Sequence, residues 1–343
     1  MRRLMLDELR RLRWEDVPEP TLRNGRQALV SPVALATCDL DPAILSGDFP
    51  MSGPFAFGHE GVCEVVAVGD EVRDFAPGDK VVVPFQISCG ACGPCLRGNT
   101  GNCASHPAMS AFGLGTMGGL EWGGLWADLA LIPHADAMLV RLPDNVAPAA
   151  VASAGDNIPD AYRSVGPQLT ANPGAQVLVL GGPAAPSIGL YAAGLAAALG
   201  SGRVVYLDTD TDRLAVAARL GAEAVEGPAD ARVGRFPITV EAHGGAAALR
   251  SAVNATGPDG VCTSVSVQRE DAALPVFAMY SRCCTFHTGR AHARPAIPAV
   301  LDLVAAGRFD PSLVTTRTVA WEESVDALEE IPTKLVAVRQ IAS

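Results

Sequence analysis

The 343-residue chain has a formal net charge of −11, with 49% hydrophobic and 18% charged residues. This composition supports packed cores rather than disorder, and the length exceeds the roughly 250 residues at which single cores stop growing, so we expect two globular domains. The negative charge, with no long basic cluster, would repel phosphate backbones and argues against a nucleic-acid partner.

The first twenty residues place charged side chains such as Asp7, Glu8 and Arg10 among their apolar positions, so no signal-peptide core forms. Apolar stretches such as 189–199 are too short and too rich in small residues to cross a bilayer about 30 Å thick. We therefore expect a soluble, cytoplasmic protein with no membrane partner. In a reducing compartment, closely spaced cysteines more often bind metal than form disulfides.

Two regions of the chain differ in their predicted secondary structure. Residues 58–85 contain Val-rich runs between turn residues, which predicts an antiparallel β region. After residue 172, strands alternate with helices, which predicts a parallel α/β sheet. These strands and helices are, in order, AQVLVLGG, SIGLYAAGLAAALG, RVVYLD, DTDRLAVAARLG, ITVEAHG and GVCTSVSV. Two helices and a closing strand are predicted last, at IPAVLDLVAAGRF, WEESVDALEE and KLVAVRQ.

Four cysteines share one Gly- and Pro-containing loop with the spacing Cys-x2-Cys-x2-Cys-x7-Cys: Cys89, Cys92, Cys95 and Cys103. Two-residue gaps let consecutive thiolates turn onto one ion, and four thiolates complete a tetrahedral zinc site with no open position. The loop therefore predicts a structural zinc site. An iron-sulfur cluster and unliganded thiols are the alternatives, although nothing nearby indicates electron transfer.

The motif GHE at 58–60, Gly69 and the run FAPGDKV at 75–81 precede this loop. Together with the loop they resemble the zinc-containing alcohol dehydrogenases of the medium-chain dehydrogenase/reductase type, and the resemblance follows nearly the whole chain in order. It implies an α/β fold with a GroES-like β-rich catalytic domain, residues 1–156 and 289–343. A Rossmann domain with a doubly wound parallel sheet, residues 157–288, would interrupt it.

The resemblance also implies a catalytic zinc ion held by Cys38, His59 and Asp156. A thiolate, an imidazole and a carboxylate leave a fourth position for water or a substrate oxygen. Glu60 is expected near the metal, and Asp41 is expected to orient the ring of His59. Taken one at a time, these residues have ordinary structural explanations, and a fold with an empty site is the alternative.

The expected nucleotide site begins at a glycine-rich turn that is longer than G-x-G-x-x-G and contains prolines, which lack an N–H donor. Asp208 ends the strand RVVYLD about 20 residues later, where a carboxylate bonds the ribose hydroxyls and repels a 2′-phosphate. NAD is therefore favoured over NADP, unless Asp208 only caps the next helix. The expected cofactor-binding residues are Gly181, Gly182, Ser187, Ile188, Gly189, Asp208, Arg213 and Val265.

Two positions depart from the family pattern, and two further positions match it at the substrate pocket. Leu40 stands where the family commonly has a Ser or Thr that passes a proton outward, and leucine has no hydrogen-bonding group. Asp39 stands where some relatives carry a pyrophosphate-binding Arg. Phe85 and Trp126 match positions that line the substrate pocket in this family.

We therefore expect a zinc-dependent oxidoreductase that transfers a hydride between NAD(H) and an alcohol or carbonyl substrate, with two zinc ions per chain. A zinc lyase or isomerase on the same fold, with hydride transfer lost or weakened, is the main alternative, and a non-catalytic scaffold is a third. The expected partners are a small-molecule substrate and further copies of the chain, as a homodimer or homotetramer. The resemblance places that interface near residues 279–287.

Overall fold

The computed structural model of the chain describes residues 1–339, and residues 340–343 lie outside this description. Its strands are, in chain order, β1 Arg2–Leu6, β2 Leu12–Asp16, β3 Ala28–Ala36, β4 Phe55–Ala56, β5 Glu60–Val68, β6 Lys80–Val83, β7 Ala130–Ile132, β8 Val140–Arg141, β9 Val177–Leu180, β10 Val204–Asp208, β11 Glu223–Glu226, β12 Phe236–Glu241, β13 Thr256–Ser264, β14 Thr285–His287, β15 Arg317–Ala320 and β16 Leu335–Val338. Its α-helices are α1 Asp41–Ser46, α2 Gly93–Leu96, α3 Ala135–Met138, α4 Asn157–Ala171, α5 Pro186–Ala198, α6 Thr211–Arg219, α7 Ala246–Ala255, α8 Val276–Arg282, α9 Ala293–Ala305 and α10 Ser324–Leu328. Short 3-10 helices cover Thr100–Asn102, Pro148–Gly155, Pro311–Val314 and Trp321–Glu323.

The chain divides into two compact units. Within the described residues, the first consists of Met1–Pro159, Ala291–Ala305 and 315–339, and the second of Asp160–Arg290 and Ala306–Val314. The predicted domain boundaries stay a prediction, and the observed division differs from them most at Ala306–Val314. That segment belongs to the second unit because the ring of Phe309 meets Tyr191 of α5 edge-on, with ring centroids 6.4 Å apart.

A seven-stranded sheet forms the framework of the first unit, with the path β15-β16-β3-β5-β6-β8 and β7 paired to β3. A smaller sheet has the order β2-β1-β4. The Val-rich run at 58–85 forms β5 and β6, which pair antiparallel as predicted. The predicted closing strand, 334–340, forms β16, and its last residue, Gln340, lies outside the described residues.

The second unit contains a six-stranded, wholly parallel sheet with the order β11-β10-β9-β12-β13-β14. The strand order reverses between β9 and β12, and doubly wound sheets bind ligands beyond the carboxyl ends of their strands at such a point. β9 and β10 are buried along their whole length, as strands covered on both faces are. The predicted Rossmann-type sheet is confirmed.

Helices α5 and α6 alternate with β9 and β10 in the predicted order, whereas α7, between β12 and β13, and α8, between β13 and β14, were not predicted. α5 packs on β9, β10 and β12 and is buried on nearly every side, whereas α6 packs on β10 and β11. α7 packs on β12 and β13. Every helix within residues 1–339 is too short or too polar to cross a membrane.

Candidate active site

Strand pairing in the first unit brings Cys38 and His59 together. β3 and β5 run antiparallel with Ala36 opposite Glu60, so the residues just after β3 and just before β5 leave the sheet at the same end. Gly58 precedes His59 with φ +86°, and a Cβ there would lie 1.7 Å from Cδ1 of Trp126. Only glycine therefore allows the chain to enter β5 at this point.

Asp156 reaches the same place from the end of the 3-10 helix Pro148–Gly155. The amide of Phe85 donates to the carbonyl of Gly155 at 3.1 Å, which fixes this turn beside the end of β6. A Cβ on Gly155 would lie 2.4 Å from the carbonyl oxygen of Val83, so the close approach requires glycine. The backbone thus delivers Asp156 to the side chains of Cys38 and His59.

The side chains form one buried cluster. Oδ2 of Asp156 lies 3.3 Å from Sγ of Cys38 and 3.4 Å from Nε2 of His59. One ligand atom from each of Cys38, His59, Glu60 and Asp156 lies within 4.8 Å of all the others. A thiol, an imidazole and carboxylates at this spacing are the donors that zinc takes in proteins, so the residues present fit the predicted metal.

The electrostatics of the cluster favour a cation. Burial raises the pKa of Cys38 well above its usual value, and the carboxylates of Asp156, Glu60 and Asp41 raise it further. Burial also raises the pKa of Glu60 to about 8, against the opposing effect of the Lys334 ammonium. Burial lowers the pKa of His59, but Asp156 and the other carboxylates raise it to about 9 overall. All three pKa values are raised, so in each residue the protonated, less negative form is favoured. A divalent cation bound at the cluster would offset the negative charge of the deprotonated thiol and carboxyl groups.

Asp41 does not hold the His59 ring in the predicted way. Its Oδ2 accepts from the amide of Cys38 at 2.8 Å, which fixes the turn that carries the thiol. Oδ1 of Asp41 and Nδ1 of His59 are both buried without a hydrogen-bond partner among the described residues. Asp41 therefore positions the cysteine, and its proposed bond to the histidine is absent here.

Two residues beside the cluster were missed by the sequence analysis. Lys334 is fully buried, lies 3.6 Å from Oε2 of Glu60, and donates to the carbonyl of Thr37 and to Oδ1 of Asn157. Nδ2 of Asn157 lies 3.4 Å from Sγ of Cys38 and 3.3 Å from Oδ2 of Asp156. The sequence held no local signal for the burial of Lys334, because it directly precedes the apolar run of β16, where a lysine is usually exposed, and its partner Thr37 is far away in sequence.

The two aromatic residues expected at the substrate pocket have different surroundings. Phe85 is buried with its ring centroid 5.8 Å from that of His59, so it is an apolar neighbour of the cluster. Trp126 is a core residue that stacks on Trp321 at 6.0 Å. Leu40 packs partly buried against the same core, and its amide donates to Sγ of Cys38 at 3.4 Å.

The four-Cys loop gathers its sulfur atoms as predicted. The sulfurs of Cys89, Cys92, Cys95 and Cys103 lie within 4.8 Å of one another. Backbone amides donate to three of them, at 3.3 to 3.4 Å. Burial raises the pKa of Cys89, but hydrogen bonds from Ser105 and nearby amides lower it to about 6. Hydrogen bonds also lower the pKa of Cys92, whereas burial raises the pKa of Cys95 and of Cys103, so the loop by itself favours the thiolate at two of its four cysteines. A bound zinc ion would favour the thiolate form of all four.

The glycine-rich turn of the second unit lies at the carboxyl end of β9. A Cβ on Gly181 would lie 2.3 Å from Oη of Tyr206, and one on Gly182 would lie 2.6 Å from Cα of His243. The tight path therefore requires both glycines. Ser187 and Ile188 lie in the first turn of α5, which Pro186 opens at a position that tolerates proline, and Gly189 follows.

Asp208 ends β10 and is not a helix cap. Its carboxylate pairs with Arg213 through Nε at 2.7 Å and Nη2 at 2.8 Å, and it also accepts from Tyr206 and two amides. The N-cap of α6 is Asp210, which accepts from the amides of residues 212 and 213. Burial raises the pKa of Asp208, but Arg213 and the other donors lower it overall.

A second buried carboxylate, missed by the sequence analysis, lies at the same edge of the sheet. Glu241 ends β12, and it accepts from the amide of Gly244 at 2.6 Å and from the hydroxyls of Ser264 and Ser266 at 2.7 and 2.6 Å. The amide of Val265 donates to the carbonyl of Glu241 at 2.9 Å. Glu241 therefore fixes the segment that contains the predicted cofactor neighbour Val265.

Comparison with known proteins agrees with these two units. Residues 24–144 match the family model of the alcohol dehydrogenase GroES-like domain. A solved alcohol dehydrogenase from Thermus sp. ATN1 is 30% identical, with a TM-score of 0.89 over 99% of this chain and 100% of that one. A probable zinc-binding alcohol dehydrogenase of Mycobacterium tuberculosis is 28% identical over 331 residues, which cover 94% of this chain and 83% of that protein. A solved NAD-dependent alcohol dehydrogenase is 25% identical, with a TM-score of 0.80 over 98% of this chain and 99% of that one.

A GroES-like domain and a parallel dinucleotide-binding sheet in one chain define a medium-chain dehydrogenase/reductase. Within that superfamily, the chain belongs to the zinc-dependent alcohol dehydrogenase family. It is an oxidoreductase that transfers a hydride between a nicotinamide cofactor and an alcohol or carbonyl substrate, as predicted. None of these relatives is named as a lyase or isomerase, so the alternative gains no support.

We predict that Cys92→Ser lowers both zinc content and stability, because the binding energy of a structural zinc ion is part of the folding energy. Metal analysis should show a loss of about one zinc ion per chain, and thermal unfolding should show a lower midpoint. Cys283→Ser is the matched control, since Cys283 is exposed and outside both clusters. Unchanged zinc content and melting in Cys92→Ser would contradict the structural site.

Proposed function

We propose that this enzyme binds two zinc ions per chain, prefers NAD(H) to NADP(H), and interconverts a small alcohol and its carbonyl counterpart. The proposal depends on one observation, the buried convergence of Cys38, His59 and Asp156 within 4.8 Å. Three protein ligands leave the open coordination position typical of catalytic zinc, whereas the four-Cys loop leaves none.

Zinc at this cluster would supply a Lewis acid for the substrate oxygen, and the nicotinamide ring would exchange the hydride. Cys38 and Asp156 supply two negative charges that balance a divalent cation, and His59 supplies a neutral nitrogen. Lys334 holds Glu60 beside these ligands at 3.6 Å. Buried Phe85 lies next to the His59 ring and keeps that side of the cluster apolar, which excludes water and favours an apolar substrate.

The preference for NAD is supported by the environment of Asp208. Its buried carboxylate ends the second strand of the sheet, where it would accept the ribose hydroxyls and repel a 2′-phosphate. Arg213 already engages both carboxylate oxygens, so the ribose must share Asp208 with the guanidinium or displace it. Similarity to a solved NAD-dependent alcohol dehydrogenase also supports this preference.

An oligomer, either a dimer or a tetramer, is proposed through the edge of the parallel sheet. β14 is the edge strand, and the neighbouring helix α8 exposes apolar side chains, with Phe277 81% and Tyr280 79% exposed. Exposed apolar patches of this kind mark interaction sites.

We also propose a cytoplasmic location, because none of the nine cysteines forms a disulfide within the described residues.

The function is tested by metal analysis and NAD reduction with a panel of primary and secondary alcohols. We expect two zinc ions per chain and alcohol-dependent NADH formation. Cys38→Ser should lose about one zinc ion and nearly all activity, since it removes a thiolate ligand, whereas Cys283→Ser should keep both. Saturable NAD binding without hydride transfer on any alcohol or carbonyl tested would argue for different chemistry.

Asp208→Ser should shift cofactor preference toward NADP, because it removes the carboxylate that repels a 2′-phosphate and leaves Arg213 with Asp210, 3.1 Å away, as its remaining ion-pair partner. We expect the ratio of kcat/KM for NADP to that for NAD to rise at least about tenfold, equivalent to about 1.4 kcal/mol. Asp212→Ser is the control, since Asp212 is an exposed acidic residue in the first turn of the same helix and its replacement leaves both Asp208 and Asp210 in place. A wild-type enzyme that already prefers NADP would show the assignment to be wrong.

Leu40→Ser should speed alcohol oxidation near neutral pH more than at high pH. The wild-type side chain offers no hydroxyl to pass on the proton that the alcohol loses, whereas at high pH hydroxide takes the proton unaided. Proton-transfer assistance is typically worth about 10²- to 10⁴-fold, so partial restoration is measurable in a pH-rate profile. Leu45→Ser, in the helix that follows Leu40 and partly buried in the same core, controls for packing. An unchanged pH profile with zinc and NAD binding intact would mean that another group carries the proton.

A further inference from the structure

We propose that Asn157 is a positioning residue that holds Cys38 and Asp156 as a pair of anionic ligands, with its amide orientation set by Lys334. The proposal rests on the catalytic zinc site proposed above. Asn157 directly follows Asp156 and begins α4, so its backbone is fixed by the same turn that delivers Asp156. Its side chain is buried, and its contacts occupy both ends of the amide.

The orientation of the amide follows from its neighbours. Oδ1 of Asn157 lies 2.7 Å from Nζ of Lys334 and 3.2 Å from the backbone N of Asp39. An ammonium and a backbone N–H only donate hydrogen bonds, so the amide oxygen must face them. The NH2 group must then face the opposite side, where Sγ of Cys38 lies 3.4 Å away and Oδ2 of Asp156 lies 3.3 Å away. A flipped amide would place two donors against the donors of Lys334 and Asp39.

This arrangement gives Asn157 an electrostatic role. The sulfur of Cys38 and the carboxylate of Asp156 are 3.3 Å apart and repel each other when both are ionised. The NH2 group of Asn157 donates one hydrogen bond to Sγ of Cys38 and one to Oδ2 of Asp156, which stabilises both negative charges and fixes the distance between these two atoms. Because the amide is neutral and its NH2 group only donates, it does not compete with them as a metal ligand. A hydrogen bond also withdraws electron density from a thiolate, so a metal ion bound there becomes more electrophilic.

Lys334 connects this pair of ligands to Glu60. Its ammonium contacts Oδ1 of Asn157 on one side and Oε2 of Glu60, at 3.6 Å, on the other. A single buried cation therefore fixes both the neutral donor that faces the ligands and the carboxylate next to His59. Without Lys334, the side-chain amide of Asn157 would lose the contact that fixes its orientation, and the carboxylate of Glu60 would lose its ion-pair partner.

The experiment compares Asn157→Asp with Asn145→Asp in full-length protein loaded with Co²⁺ in place of zinc. The aspartate introduced by Asn157→Asp would keep the shape of the side chain but would present an oxygen instead of an N–H donor to the thiolate. We expect the thiolate-to-cobalt absorption band to shift and the affinity of this site for Co²⁺ to fall about 10- to 100-fold, with the four-Cys site unchanged. Asn145, whose Nδ2 donates to the carbonyl of Ala305, should give a wild-type spectrum and affinity when it is replaced.

Asn157→Ser keeps a hydroxyl donor in a smaller side chain and is measured in parallel, in case the aspartate variant does not fold. We expect the serine variant to show a smaller shift of the same band and an intermediate Co²⁺ affinity. Folded variants with the wild-type band and wild-type affinity would overturn the role of Asn157. A wild-type protein that binds cobalt only at the four-Cys loop would instead overturn the proposed catalytic site, so the two failures are distinguishable.

Discussion

The register in which β3 pairs with β5 is the constraint on which the catalytic cluster depends. Because Ala36 lies opposite Glu60, the chain that leaves β3 and the chain that enters β5 bring Cys38 and His59 to the same end of the sheet. A shift by one residue would turn the side chains of one strand to the other face and separate the two ligands. Gly58 lets the chain enter β5 in this register, and Gly155 lets the turn that carries Asp156 approach the end of β6, since a side chain at either position would collide with a neighbour.

Local patterns were sufficient for most of the fold and for the four-Cys loop, whereas Cys38, His59 and Asp156 lie far apart in sequence and were predicted from the resemblance to a family. The cysteine spacing and the alternation of strands and helices each depend on residues close in sequence, so they could be interpreted directly. Lys334 could not be predicted, because its partner Thr37 is 297 positions away and a lysine before an apolar strand is usually exposed. β11 was also missed, since it contains two glutamates and forms by parallel pairing with β10 rather than through an apolar pattern.

The nucleotide site shows the same limit of sequence information. The position of Asp208 at a strand end was predictable, but its pairing with Arg213 through two hydrogen bonds depends on how α6 begins. Asp210 caps that helix and so places Arg213 within reach of Asp208. Glu241 has a comparable role at the end of β12, where its carboxylate joins the loops after β12 and β13. These two buried carboxylates organise the carboxyl edge of the sheet through partners that no sequence motif specifies.

The position of Lys334 also affects how the protein folds. β3 pairs with β16, and Lys334, just before β16, completes the surroundings of Glu60 and Asn157. During synthesis, the ligands near residues 38 and 59 emerge long before this lysine, while the second unit is made in between. Contacts between distant segments form slowly because long loops must close first. We therefore expect the first unit to remain incomplete and its cluster loosely ordered until translation has passed β16, whereas the parallel sheet can form earlier.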